Sequence, residues 1–125
     1  MNPTARRLLG DLGERHARRF LEAAGYKFLA ANWRCAGGEL DLVMRDGDEI
    51  VFVEVKTRHG EAMGRAEESV SPAQVRRLLT AADDFLGAHP VLGDPVWRLD
   101  TVAITLGTDG TVRRLSHLVN ALGEV

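Results

Sequence analysis

The chain has 125 residues, with 16 Lys and Arg set against 18 Asp and Glu for a net charge of −2. That length suits a single domain, residues 1–125, around one modest core, and the near-neutral charge excludes a polycation, so nucleic acid would have to be met by local basic patches. One cysteine, Cys35, excludes an internal disulfide, no Cys/His cluster has zinc spacing, and no apolar run reaches membrane-spanning length. The N-terminus carries no secretory pattern, and a cytoplasmic protein without a membrane role is the expectation.

In chain order, Met1 to Leu9 is expected to be a frayed end. From about Asp11 to Ala24 apolar residues recur at helical spacing (Leu12, Ala17, Phe20, Leu21, Ala24), with Gly25 as the cap. Glu14 shares a face with Ala17, Leu21 and Ala24, at the edge of the apolar stripe. Spacing alone leaves it an ordinary first-turn glutamate favoured by the helix dipole. Residues 1–20 also carry five Arg against Asp11 and Glu14, either a solvated face or a track for a phosphate backbone.

Tyr26 to Arg34 reads as a strand, and Cys35-Ala36-Gly37-Gly38 as a turn. Gly38 to Arg58 then reads as two strands joined at Asp46-Gly47-Asp48. His59 to Ser69 is Gly-rich, charged and without period, a loop bordering the second strand. Ser71-Pro72 opens a helix, serine as N-cap and proline at the first helical position, running to about Gly87 with Val75, Leu78, Leu79, Ala82 and Leu86 as its buried stripe. Ala88 to Pro95 is a loop, Val96 to Leu106 a strand and Thr108 to Thr111 a turn. A last strand, Val112 to Leu118, and a short capping tail follow. Asp100 is read as a structural partner of Arg98 or of a neighbouring strand. Helix, three strands, helix and two strands make an α/β domain, a mixed five-stranded sheet flanked by helices in three layers.

The chemistry concentrates on the two central strands. Period-two alternation puts Asp41 on the face of Glu39, and Lys56 on the face of Glu54. Antiparallel pairing can bring Asp41, Glu54 and Lys56 together. Glu54 and Lys56 adjoin the most apolar run of the chain, Ile50 to Val55, where charged groups must be paired, metal-bound or shifted in pKa. Two neighbouring carboxylates repel, and a hard cation relieves them; Mg²⁺ accepts one or two protein carboxylates and completes its shell with water and phosphate oxygens. The alternative on this pattern is a surface hairpin with a cross-strand ion pair. The chain has fourteen Arg and only two Lys, yet Lys stands at position 56, where a compact amine differs chemically from a guanidinium.

Asp41, twelve intervening residues and Glu54-Val55-Lys56 resemble the D…(D/E)-x-K signature of restriction-endonuclease-like nucleases. Gly13-Glu14-x-x-Ala17, Gly25-Tyr26, Asn32-x-Arg34, Gly38-Glu39-Leu40-Asp41-Leu42, Val51 to Arg58 and Arg98-Leu99-Asp100 extend the likeness to the YraN family, small endonuclease-like proteins. The resemblance implies a restriction-endonuclease-like fold and an Mg²⁺- or Mn²⁺-dependent nuclease acting on DNA rather than RNA, branched or single-stranded. It implies metal ligation by Asp41, Glu54 and the Val55 carbonyl, with Glu39 ranked below them. Lys56 would be catalytic, and Glu14 a third acid completing the metal shell. Related sequences usually have lysine where Gln74 stands; Gln can hydrogen-bond a phosphate or a carboxylate but brings no charge. Junction resolvases of similar architecture act as two-fold dimers, so a homodimer is open here. The alternative function is a nucleic-acid-binding module whose nuclease site is inactive or needs a partner.

Overall fold

The computed structural model describes residues 2–60 and 70–122. Its order is α1 (Pro3–Ala23), β1 (Lys27–Cys35), β2 (Gly38–Asp46), β3 (Glu49–His59), α2 (Pro72–Ala88), β4 (Trp97–Leu106) and β5 (Val112–Leu118). The strands form one five-stranded sheet in sequence order. Only β3 and β4 run parallel, because α2 lies between them in the chain and carries it back. One helix covers each face, the three-layer arrangement expected of a restriction-endonuclease-like domain. None of the described helices is long and apolar enough to cross a membrane.

The N-terminus departs from expectation. Residues Pro3 to Leu9 are helical, because Asn2 accepts a hydrogen bond from Ala5 N at 2.7 Å and Pro3 takes the first turn, where its missing N–H costs nothing. The helix ends on a Schellman arrangement: Tyr26 N bonds to Leu21 O, Gly25 N to Glu22 O, and Gly25 takes φ of 98°. In α2 the stripe is turned from the expected one. Leu78, Ala81, Ala82 and Phe85 are buried, whereas Leu79 is 39% exposed. Phe85 supplies the bulk that Leu79 was expected to give, stacking edge-on to Trp33 and Phe52. His59 ends β3, and 61–69, most of the expected loop, lie outside the described residues, as do 123–125. The tail does cap the sheet: Ala121 N donates to Leu99 O at 2.6 Å, and Leu122 packs under α2.

Each face of the sheet has its own core. On the α1 side Ala17 and Leu21 meet Leu42, Met44, Val51, Val53, Val102, Ile104 and Leu106. On the α2 side Leu78, Ala81, Ala82 and Phe85 meet Leu40, Val43, Ile50, Phe52 and Leu99. β3 alternates between the two without interruption, which is why a strand buried on both faces reads as one apolar run. β2 does not alternate cleanly. Leu40 and Val43, three residues apart, both face α2, so the period slips once at Asp41-Leu42. The far end of the sheet is tied by ions: Asp100, fully buried, accepts from Arg98 Nε at 3.0 Å, His117 Nε2 at 2.7 Å and Asn120 N at 3.0 Å. Arg98 also reaches Asp46, Glu49 and the Tyr26 hydroxyl. The structural role expected for Asp100 stands.

Candidate functional site

Backbone pairing between β2 and β3 runs from Asp46/Glu49 to Leu42/Val53 and stops there, whereas β2 stays paired to β1 as far as Gly38. The strands therefore fork at Asp41 and Glu54. Asp41 fills the fork: its Oδ2 accepts from Val55 N at 2.8 Å, in place of a main-chain carbonyl. Glu54 lies beside it and is hydrogen-bonded to it, carboxyl to carboxyl. β3 keeps its register with β4 through this region, so Lys56 follows on the same face as Glu54, and its charge pulls the Glu54 pKa down.

Asp41 and Glu54 face a cleft of about 490 Å³ between the β1–β2 turn and the first half of α2. Arg34, Cys35 and Glu39 line one wall; Gln74, Arg77 and Leu78 line the other. Glycine makes this wall close: a Cβ on Gly38 would overlap the Arg77 carbonyl. On the opposite face, a Cβ on Gly13 would overlap the Thr57 hydroxyl, so α1 touches β3 one residue before Glu14 and one after Lys56. Both helices thus come close to the sheet beside the fork.

The site is electrostatically loaded. Burial, then the Asp41 charge and the hydrogen bond to Asp41, push Glu54 up to about 8, against a partial offset from Lys56. Asp41 is raised to about 6 by burial, against the hydrogen bonds from Val55 N–H and Glu54. Glu14 is raised to about 7 by burial and then by Asp41 and Asp11, while a hydrogen bond from Asn32 works the other way. Without a cation the Asp41–Glu54 pair holds one proton in common at neutral pH, the arrangement like charges adopt at close range.

Each expected residue has a definite place. Asp41 and Glu54 meet as expected, and Lys56 is beside them. Glu14 feels the Asp41 charge from the α1 side, where it lines a separate cavity of about 280 Å³ with Asp11, Arg15, Arg18 and Asn32. Glu39 lines the cleft, but Arg34 Nε holds its carboxylate at 3.2 Å on the rim. The Val55 side chain packs toward α1, and it is its N–H that meets Asp41. Gln74 lines the cleft while its Oε1 accepts from Ser71 N at 2.8 Å, closing a capping box. Among the described residues no three His, Cys, Asp or Glu side chains converge as a ready cage for an ion. The donor set that does converge, two carboxylates open to a cleft, suits a hard cation that retains water and takes oxygen from a ligand. Asn32 and Arg34 have places at the site that charge and periodicity had not assigned; the signal was Asn32 itself, a residue tolerant of positive φ set within a strand.

The model of the uncharacterised protein family UPF0102 matches residues 13–104. The chain belongs to that family. A UPF0102 protein of Chloroflexus aurantiacus is 43% identical over 122 residues, 98% of each chain. One from Roseiflexus castenholzii is 46% identical over 116 residues, 93% of this chain and 94% of its own. One from Pelotomaculum thermopropionicum is 44% identical over 117 residues, covering 94% and 97%. The matched UPF0102 span takes in Glu14, Asn32, Asp41, Glu54, Lys56 and Gln74.

Proposed function

We propose that the chain is a divalent-metal-dependent phosphodiester hydrolase acting on DNA, branched or single-stranded DNA included. The observation that carries this reading is the fork: two half-buried carboxyls in contact, open to a cleft with arginine on both walls. A phosphodiester drawn in by Arg34 and Arg77 would bring a further negative charge to that floor. A bound divalent ion such as Mg²⁺ or Mn²⁺ supplies the positive charge that makes this tolerable and polarises the phosphoryl oxygen.

The chain's own residues divide the work. Asp41 and Glu54 are the groups that would hold the ion, with Asp41 fixed in orientation by Val55 N–H. Lys56, on the face of Glu54, donates to the attacking water and to the phosphate as charge builds on it. Arg34 and Arg77 hold flanking phosphates, and Gln74 offers its amide N–H₂ to the cleft. A junction with two-fold symmetry would be met by a two-fold dimer.

The test is purified protein with Mg²⁺ or Mn²⁺ on linear, single-stranded and junction DNA. Cleavage by the wild type and its loss, by at least about a hundredfold, in Asp41→Ala and Lys56→Ala is the expected result. Cleavage that survives both substitutions removes the site from consideration. A second reading, a binding module without turnover, is favoured by Gln74, which brings no charge and whose carbonyl oxygen is committed to the helix cap. Gel retardation by wild-type protein with no cleavage under either metal would select it.

A further inference from the structure

β1 contains a backbone conformation that its strand does not require. Asn32 has φ of 53°, left-handed, between residues paired normally to β2, Ala31 with Leu42 and Trp33 with Leu40. The consequence is a slip: Ala30 and Trp33, three residues apart, both pack on the α2 side. The slip in β2 lies directly opposite, since Ala30 pairs with Val43 and Trp33 with Leu40. Asn32 and Asp41 are thus the two extra residues of facing strands. Asn32 turns its side chain to the α1 side, where it lines a cavity with Glu14 and hydrogen-bonds its carboxyl.

Glycine would take this backbone without strain, so the conformation alone does not explain a side chain here. Asparagine is a residue that tolerates the left-handed region and also carries an N–H donor on a short arm. We infer that Asn32 is a positioning residue, holding the Glu14 carboxylate toward the Asp41–Glu54 fork so that α1 contributes to the cation site. This rests on the metal reading above.

The experiment is Mn²⁺ titration by calorimetry, with thermal melts of the metal-free protein, for wild type, Asn32→Gly, Glu14→Ala and the double variant. Asn32→Gly is expected to melt within a few degrees of wild type yet bind Mn²⁺ about tenfold more weakly, the scale on which partners of metal ligands act. In the Glu14→Ala background the same change is expected to have no further effect. Asn32→Asp, which keeps size and backbone tolerance but cannot donate, should show the same loss and serves if the glycine variant does not fold. Unchanged Mn²⁺ affinity in Asn32→Gly or Asn32→Asp, or an equal loss with Glu14 already removed, overturns the positioning role and leaves the metal site standing. Absence of Mn²⁺ binding by the wild type overturns both.

Discussion

Glu54→Gln should stabilise the metal-free protein. Glutamine is nearly isosteric, and its amide can donate to Asp41 as the protonated Glu54 carboxyl does. The wild-type group has a folded pKa of about 8 against 4.5 when exposed. A carboxyl raised in this way adds stability that is complete below the unfolded value and is lost as pH rises from 4.5 through about 8. Integrated to about pH 8, the loss has a ceiling of about 4 kcal/mol. Relaxation and water in the open cleft bring it to about 2 kcal/mol. For a domain this size, that is about 8 °C in Tm. The assay is thermal unfolding in chelator across the range between the two pKa values. Wild type should gain Tm more steeply on acidification than Glu54→Gln, in which Glu14 and Asp41 still titrate, the curves converging at the acid end. Added Mn²⁺ should raise the wild-type Tm and leave the variant where it was. A variant that melts at or below wild type at about pH 8 would refute the view that two crowded carboxyls set the cost of this site.

Two glycines of α1 separate helix propensity from packing. Gly10→Ala, with open space around its Cβ, should gain about 0.5–1 kcal/mol, whereas Gly13→Ala, forced onto the Thr57 hydroxyl, should lose about 1–3 kcal/mol by chemical denaturation. At the far end, burial raises the Asp100 pKa, but hydrogen bonds from His117, Arg98 and Asn120 outweigh it and hold the carboxyl below its usual 3.8. Asp100→Asn should therefore cost about 3 kcal/mol near neutral pH. It should also flatten the loss of stability that wild type shows as pH falls below 3.8, where the protonating carboxylate gives up its partners.

The fold was legible wherever one physical rule acted alone. Asp46-Gly47-Asp48 makes a turn because glycine takes positive φ there, and Ser71-Pro72-Ala73-Gln74 starts a helix because cap and first-turn chemistry are local. Legibility failed where a weak local signal was completed by packing. The first turn of α1 is polar and basic, with Arg6 and Arg7, and only the Asn2 cap marks it, so a stripe-seeking reading begins the helix eight residues late at Asp11. In α2, Leu79 and Phe85 compete for the buried face; Phe85 is buried because it meets Trp33 and Phe52 from two other strands. The acid pair was legible because Asp41 and Glu54 are expensive in an apolar strand. Asn32 and Arg34 were not, since neither costs anything until the slip in β1 aims them.

The paired slips explain why this end of the sheet carries the chemistry. A continuous antiparallel ladder would satisfy Val55 N–H with a carbonyl and leave no reason for a half-buried carboxylate. By slipping at Asn32 and Asp41 together, β1 and β2 stay paired to each other while β2 leaves β3, and the vacated acceptor position is filled by the Asp41 side chain. The fork gives up β2–β3 pairing beyond Leu42 and Val53, and close packing lies nearby: α1 seats on β3 through Gly13, and α2 on β2 through Gly38. At the other end of the sheet Asp46, Glu49 and Asp100 share Arg98, and His117 hydrogen-bonds Asp100. Both ends gather carboxylates, but at the fork Asp41 and Glu54 lie against each other, with Lys56 only partly offsetting them, rather than around a shared arginine. Structure alone does not require that inequality, and binding a cation would remove it.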